Sequence, residues 1–333
     1  MRKFWKTAAL TLAVCIAAAG CSRTTGEIEM PASSPAPTAQ SPSGTGMPAI
    51  PQDLDTRNGM PLLTVYVVES DSYQEMDVES YVQGVLAGEM RNDWPMEALK
   101  AQAILARTFV LKFVSEKESK YSDADISTDI AEAQAYNEEN INDRIRQAVE
   151  ETTGQVLVTA SGTLPYTWFH AHSGGTTALA REGLGWKDAE PAYTRITEGL
   201  DSPEAPAEAK AWSVDFPAEE FLAACRKVGA DPRSIDDISI YEKGGSGRAV
   251  TLMVDGEKVP AAELRIALGS TVMRSTLLTE LSSDGKSVHM EGRGYGHGVG
   301  MPQWGAYALA QDGLTGADIA LHYYNDLSPV KMW

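Results

Sequence analysis

The chain has 333 residues, with 28 Lys and Arg against 46 Asp and Glu, and its 43% hydrophobic content is enough to bury a sizeable core in one or two domains. A net charge of −18 argues against a nucleic-acid binder or a protein adsorbed on anionic lipid, because both need clustered Lys and Arg and no cluster follows the first few residues. Cys15, Cys21 and Cys225 are too few and too scattered for a disulfide framework or a four-cysteine zinc site.

Taken in chain order, Arg2, Lys3 and Lys6 precede an apolar run from Ala8 to Ala19, the pattern of a signal peptide over residues 1–20. Ala18-Ala19-Gly20-Cys21 resembles a bacterial lipobox, which makes Cys21 a lipid attachment site; the alternative is an ordinary cleaved secretory signal. Lipidation implies a chain held at the cell membrane on its extracytoplasmic face, and loss of residues 1–20 makes the remainder more acidic still. Residues 21–60, with prolines at 31, 35, 37, 42, 48 and 51, read as a flexible Ser/Thr/Pro-rich tether.

Folded structure is expected from the β-branched run Leu62 to Val68. A helix follows, capped by Asp77, with Val78, Tyr81, Val82, Val85, Leu86 and Met90 at helical spacing. A second helix is expected from Pro95 to Phe113 and a third from Glu138 to Thr152, stopped by Gly154. Val156 to Val158 and Tyr166 to Phe169 read as strands joined by a turn at Ser161-Gly162-Thr163. Beyond Pro203 the pattern predicts a helix from Phe216 to Val228, strands at Ile238 to Ile240 and Ala249 to Val254, a hairpin turn at Asp255-Gly256 with Val259 on the returning strand, and a helix from Ala261 to Leu268. The fold class is therefore α+β: a mixed core over 61–204 and 286–333, with a smaller α+β subdomain inserted at 205–285.

Four stretches carry candidate chemistry. At 100° per residue from Val78 the apolar positions fall between about −60° and +120°, and Glu89 falls near +20°, inside that stripe. A carboxyl lining a pocket there is held protonated by desolvation, the state a general acid needs, whereas a carboxyl at the core edge is satisfied by an Arg or a backbone amide. On the second helix Gln102 and Arg107 stand out, and Arg107 offers a planar fork to a carboxylate or a sugar oxygen. His170 and His172, in Phe169-His170-Ala171-His172-Ser173-Gly174-Gly175, share one face if the segment is a strand, but a zinc ion wants three or four protein ligands and no cysteine is near. Hydrogen bonding is the preferred reading, with no metal and no cofactor. The fourth stretch, Gly292 to Gly300 followed by Met301-Pro302-Gln303-Trp304-Gly305, has six glycines around His297 and Trp304. It has neither Walker nor dinucleotide spacing; it is either a plain turn or a loop that brings backbone donors, Tyr295 and His297 to a ligand.

Together these segments resemble the stage II sporulation protein D family, including its amidase-enhancer branch. The matching pieces are Val78 to Met90, Trp94 to Ala103 with Ala106-Arg107-Thr108, His172-Ser173-Gly174-Gly175, and Gly294 to Met301 with Gln303 to Ala306, in the family's order over about 62–333. The resemblance implies a lytic transglycosylase of peptidoglycan strands that lack stem peptides, with Glu89 as acid and base. It implies that Arg107 and residues 170–175 shape the glycan site, helped by Gln102, Tyr295, His297, Gln303 and Trp304. The other implied role is a non-catalytic glycan binder that recruits or stimulates an N-acetylmuramoyl-L-alanine amidase. Some relatives bind zinc through cysteines near the His-Ser-Gly-Gly stretch, and those cysteines are missing here. The sporulation member spans the membrane, so a role in sporulation is not implied.

Overall fold

The computed structural model describes residues 48–51 and 54–333; the expected signal peptide, Cys21 and most of the expected tether lie outside the described residues. The described chain is α+β. Strand structure is present before Leu62: β1 (Thr56–Arg57) turns over Asn58-Gly59, both at positive φ, into β2 (Met60–Val67). Asn-Gly is the strongest two-residue hairpin signal, so this turn was readable from sequence. The polar stretch after β2 contains β3 (Ser72–Asp77), antiparallel to β2.

Asp77 then caps α1 (Val78–Glu89), its carboxylate accepting the Ser80 N–H at 2.8 Å. α2 spans Met96–Glu116 and leads to β4 (Ile126–Ser127), which lies parallel to β2. The third helix is shorter than expected. Asn137 caps a single 3-10 turn at Glu138–Asn140, and Asn142, accepting the Ile145 N–H, starts α3 at Asp143–Glu151. Side-chain caps at both asparagines divide what periodicity reads as one helix.

The strands β5 (Gln155–Thr159) and β6 (Phe169–His170) do not pair with each other, contrary to expectation. α4 (Ala180–Leu184) and α5 (Ala207–Lys210) lead into β7 (Ala211–Pro217), so Phe216 lies on a strand and α6 starts at Ala218, ending at Lys227. β8 (Ile238–Lys243), β9 (Ala249–Val254) and β10 (Glu257–Pro260) form an antiparallel meander, followed by α7 (Ala261–Ala267). β11 (Leu278–Ser283) and β12 (Ser287–Arg293) complete a second antiparallel sheet with β7, in the order β11-β12-β7. The last elements are β13 (Met301–Pro302), α8 (Gln303–Gln311), α9 (Gly316–His322) and β14 (Leu327–Lys331). β14 pairs with β5, and β13 with β6.

Two hydrophobic clusters result. The first surrounds α2, whose fully buried Ala98, Ala101, Ala103 and Ala106 let α1, α3, α8 and α9 pack close on several sides. The second joins Trp212, Phe216, Phe221, Leu252, Leu264, Val288 and Met290 across the β7-to-β12 stretch, and its sheet runs to Arg293, past the expected boundary at 285. Cys225 is free and buried within it. No helix among the described residues is long and apolar enough to cross a membrane.

Candidate active site

Glu89 is the last residue of α1, where the chain leaves the helix and its side chain is half-buried at the edge of the first core. A side chain on the preceding Gly88 would press to 2.8 Å on the Ala135 carbonyl carbon, so only glycine lets the 128–137 loop close against the helix end. That closure brings the Ala135 N–H to Glu89 Oε1 at 2.7 Å. From the other side Gln303, first residue of α8, donates its Nε2 to the Glu89 carbonyl oxygen at 3.0 Å. Burial dominates the electrostatics and pushes the Glu89 carboxyl up to about 7, against the opposing pull of the Ala135 and Gln303 donors.

The carboxyl opens on a cavity of about 410 Å³ lined by residues 87–93 and Asn140. Asp93, the other acid there, is gripped by Arg91 through both oxygens at 3.1 and 2.9 Å, which holds it below the usual carboxylate range. Trp94, next in the chain, packs on Trp304 at 4.5 Å and Tyr307 at 5.2 Å between ring centroids. Trp304 and Tyr307 are half-buried, so part of this aromatic group reaches the surface.

Residues 170–175 form a loop that is braced from within. His170 Nδ1 donates to the Val299 carbonyl at 3.2 Å, and the Val299 N–H donates to His297 Nδ1 at 3.0 Å, so two imidazoles satisfy both main-chain groups of one residue. Burial first, and then neighbouring imidazole and guanidinium groups, pushes His170 well below its ordinary value and His297 down to about 3, so both are neutral near pH 7. Ser173 is fully buried and donates its N–H and Oγ to Asp201. The Gly174 N–H donates to His172 Nδ1 at 3.0 Å, and Arg248 donates to the Ser173 and Thr176 carbonyls at 2.6 and 3.0 Å. Tyr295 meets this loop through main-chain bonds with His172 at 2.8 and 3.0 Å.

The structure thus sets Glu89 on one cavity, with Gln303 bonded to its main chain, and His172, Gly174 and Gly175 on a second of about 500 Å³. Trp304 links them: its N–H donates to the Ala171 carbonyl and its carbonyl accepts from Ser202, both at 3.1 Å. Three expected substrate residues are otherwise employed, and a fourth is shut inside the core. Arg107 is fully buried, with Nε 3.0 Å and Nη2 2.5 Å from the Glu79 carboxylate and Nη1 on the Gln155 carbonyl, so its fork is spent inside the core. Gln102 is fully buried on α2 with an unpartnered amide, and Ser173 and His170 serve the loop. Sequence reasoning missed the Ala135 N–H, a main-chain donor without a side-chain signature, and Asp201 and Arg248, which become partners of the loop only through the fold.

His170 and His172 gain no third ligand. Among the described residues the grouping of three His, Cys or acid side chains close enough to share an ion is Glu280, His289 and Glu291, on β11 and β12, which line neither cavity.

A family model described as "Stage II sporulation protein" matches residues 68–158, and one for a domain of unknown function (DUF8618) matches 198–300. An uncharacterised protein of Brachyspira hyodysenteriae is 32% identical over 258 residues, covering 77% of this chain and 67% of that one. The stage II sporulation protein D of Bacillus subtilis is 28% identical over 280 residues, covering 79% and 77%. The amidase enhancer of the same organism is 26% identical over 290 residues, which is 73% of this chain and 39% of that protein. The matched stretches include α1 with Glu89 and run through the glycine-rich loop, and on them the chain belongs to the stage II sporulation protein D and amidase-enhancer family.

Proposed function

We propose that this chain is a lytic transglycosylase that cleaves peptidoglycan glycan strands lacking stem peptides, with Glu89 as the single acid and base. The observation that carries the reading is a half-buried carboxyl at about 7 that lines an open cavity, with the one other acid of that lining already paired to Arg91. Protonated Glu89 gives its proton to the glycosidic oxygen as the C1–O bond breaks. The resulting carboxylate, steadied by the Ala135 N–H, takes the proton of the muramoyl C6 hydroxyl as that oxygen bonds to C1. Glu89 ends protonated and the product is a 1,6-anhydromuramoyl end. Because the nucleophile belongs to the substrate, the second carboxylate of a glycosidase is not needed. Aromatic faces at Trp304 and Tyr307 suit stacking on sugar rings. In this reading Cys21 carries the lipid that holds the protein at the extracytoplasmic face of the membrane.

The test is to incubate the full chain and Glu89→Gln with peptide-free glycan strands and count anhydro ends by mass spectrometry. Wild type is expected to produce them and the variant to lose about 10²- to 10⁴-fold in rate. Reducing ends without the anhydro ring indicate hydrolysis and overturn the transglycosylase reading. The amidase-enhancer relative supports a second reading, a glycan binder that recruits or stimulates an N-acetylmuramoyl-L-alanine amidase. If wild type yields no cleavage yet accelerates such an amidase, that second reading replaces the first.

A further inference from the structure

The second cavity holds two cations that the chemistry at Glu89 does not use. Lys210, at the end of α5, and Arg293, at the end of β12, line it together with His172, Gly174, Gly175, Asp201 and Ser202. The Gly294 N–H donates to the Lys210 carbonyl at 3.0 Å, which ties the two chain ends together. Lys210 Nζ rests on the Pro203 carbonyl at 2.6 Å, and among the described residues neither cation has a carboxylate within ion-pair distance. Asp201, one of two acids on the lining, is turned inward: both its oxygens accept from Ser173, and one lies 3.4 Å from His172 Nδ1. Glu198 lies exposed on the lining.

The wall is built with strained backbone. Leu200 sits at φ 52, a conformation costly for a branched side chain, and Gly174 at φ 76 brings the loop so close that a Cβ would stand 3.0 Å from the Arg293 carbonyl carbon. Arg248 and Asp201 hold that loop from beneath. In a chain of net charge −18, two cations left open in a braced cavity point to an anionic ligand group.

We propose that Lys210 and Arg293 bind the free lactyl carboxylate of a muramoyl residue further along the strand from the bond at Glu89, and so select glycan without stem peptides. This rests on the glycan-strand reading above. A stem peptide converts that carboxylate into an amide, removing the one anion of a bare muramoyl residue and adding bulk at the cavity. Trp304, whose main chain bonds to Ala171 and Ser202 while the preceding Gln303 reaches the Glu89 carbonyl, ties the walls of the two cavities together.

The experiment measures binding by calorimetry in the Glu89→Gln full chain, which holds substrate without turnover. Its probes are peptide-free strands and the same strands with the lactyl carboxyl reduced to an alcohol. Reduction is expected to weaken binding by about 10-fold, the worth of a charge-assisted contact. Adding Lys210→Gln and Arg293→Gln is expected to lower affinity for native strands to that weaker level and to leave affinity for reduced strands unchanged. Lys210→Arg is expected to restore the preference, which a merely structural role would not. Equal binding of native and reduced strands by the parent overturns the proposal and leaves the glycan reading standing. Binding of neither strand overturns both.

Discussion

Glu79 and Glu89 lie on the same face of α1, and the angular argument that singles out one also admits the other: Glu79 falls at 100° from Val78, still within the apolar stripe. What separates them is position along the axis, about 15 Å at 1.5 Å per residue. Glu79, in the first turn, meets Arg107, the Gly154 N–H and the Trp333 indole N–H, and it is a structural anion. Glu89, at the last turn, meets a cavity. Sequence shows which acids face inward and does not show which one has an empty space in front of it. The Arg107 fork was legible and its partner was not, because Glu79 is distant in sequence and its contact depends on how α1 crosses α2. Replacing Arg107 by Ala leaves Glu79 buried without its cation and is expected to cost about 3–5 kcal/mol, read as a drop in the urea midpoint at constant slope. Adding Glu79→Gln should recover part of the loss; no recovery argues against the ion pair as the cause. For Glu89 the expected signature is kinetic. Activity should hold below pH 7 and fall about tenfold per unit above it, because the reactive form is the protonated one. A rate that keeps rising through pH 8 rules Glu89 out as the acid.

At the scale of elements, local signals served well wherever an element is fixed by its neighbours in sequence. Asp77 caps α1, Asp255-Gly256 turns β9 into β10, and Gly154 follows α3 at φ 70, all as expected from the residue types. Strand partners were not legible, because β5 takes β14 and β6 takes β13 across more than a hundred residues, and no local pattern encodes such a choice. The glycine-rich loop shows what that pairing demands. Gly300 lies at φ 70 just before β13, and a Cβ there would overlap the Trp168 carbonyl oxygen and the Tyr324 hydroxyl that donates to it. Gly300→Ala must therefore push β13 off β6 and shift Gln303 away from the end of α1. We expect a loss of about 1–3 kcal/mol in stability together with loss of activity at Glu89. Activity retained in a folded Gly300→Ala protein means that the loop does not set the position of Gln303.

Across the whole molecule, an acidic surface surrounds an interior that keeps its histidines neutral and one glutamate protonated, and these two departures act on stability in opposite directions. His170 and His297 have depressed values, so their contribution is full above about 6.5, where both states are neutral, and is lost as pH falls below that and the unfolded chain alone takes up protons, for His297 down to about 3. Glu89 has a raised value, so its contribution is full below about 4.5 and is lost as pH rises through about 7. His172 and His322 are depressed too, so between pH 4.5 and 6.5 the extra proton on folded Glu89 offsets only one of the extra protons that the unfolded histidines take up. Below 4.5 that offset ends. Stability is therefore expected to decline gently from pH 6.5 to 4.5 and more steeply below, each uncompensated proton adding a slope of about 1.4 kcal/mol per pH unit. Urea titrations at pH 7, 5.5 and 4 check this, and Glu89→Gln sharpens the test because it removes the offset and should steepen the upper stretch by about one proton. His297→Asn keeps an acceptor for the Val299 N–H while deleting a titrating group, and should flatten the acid limb. If neither variant changes the slope, acid sensitivity comes from the carboxylates at large, and the buried imidazoles are not its source.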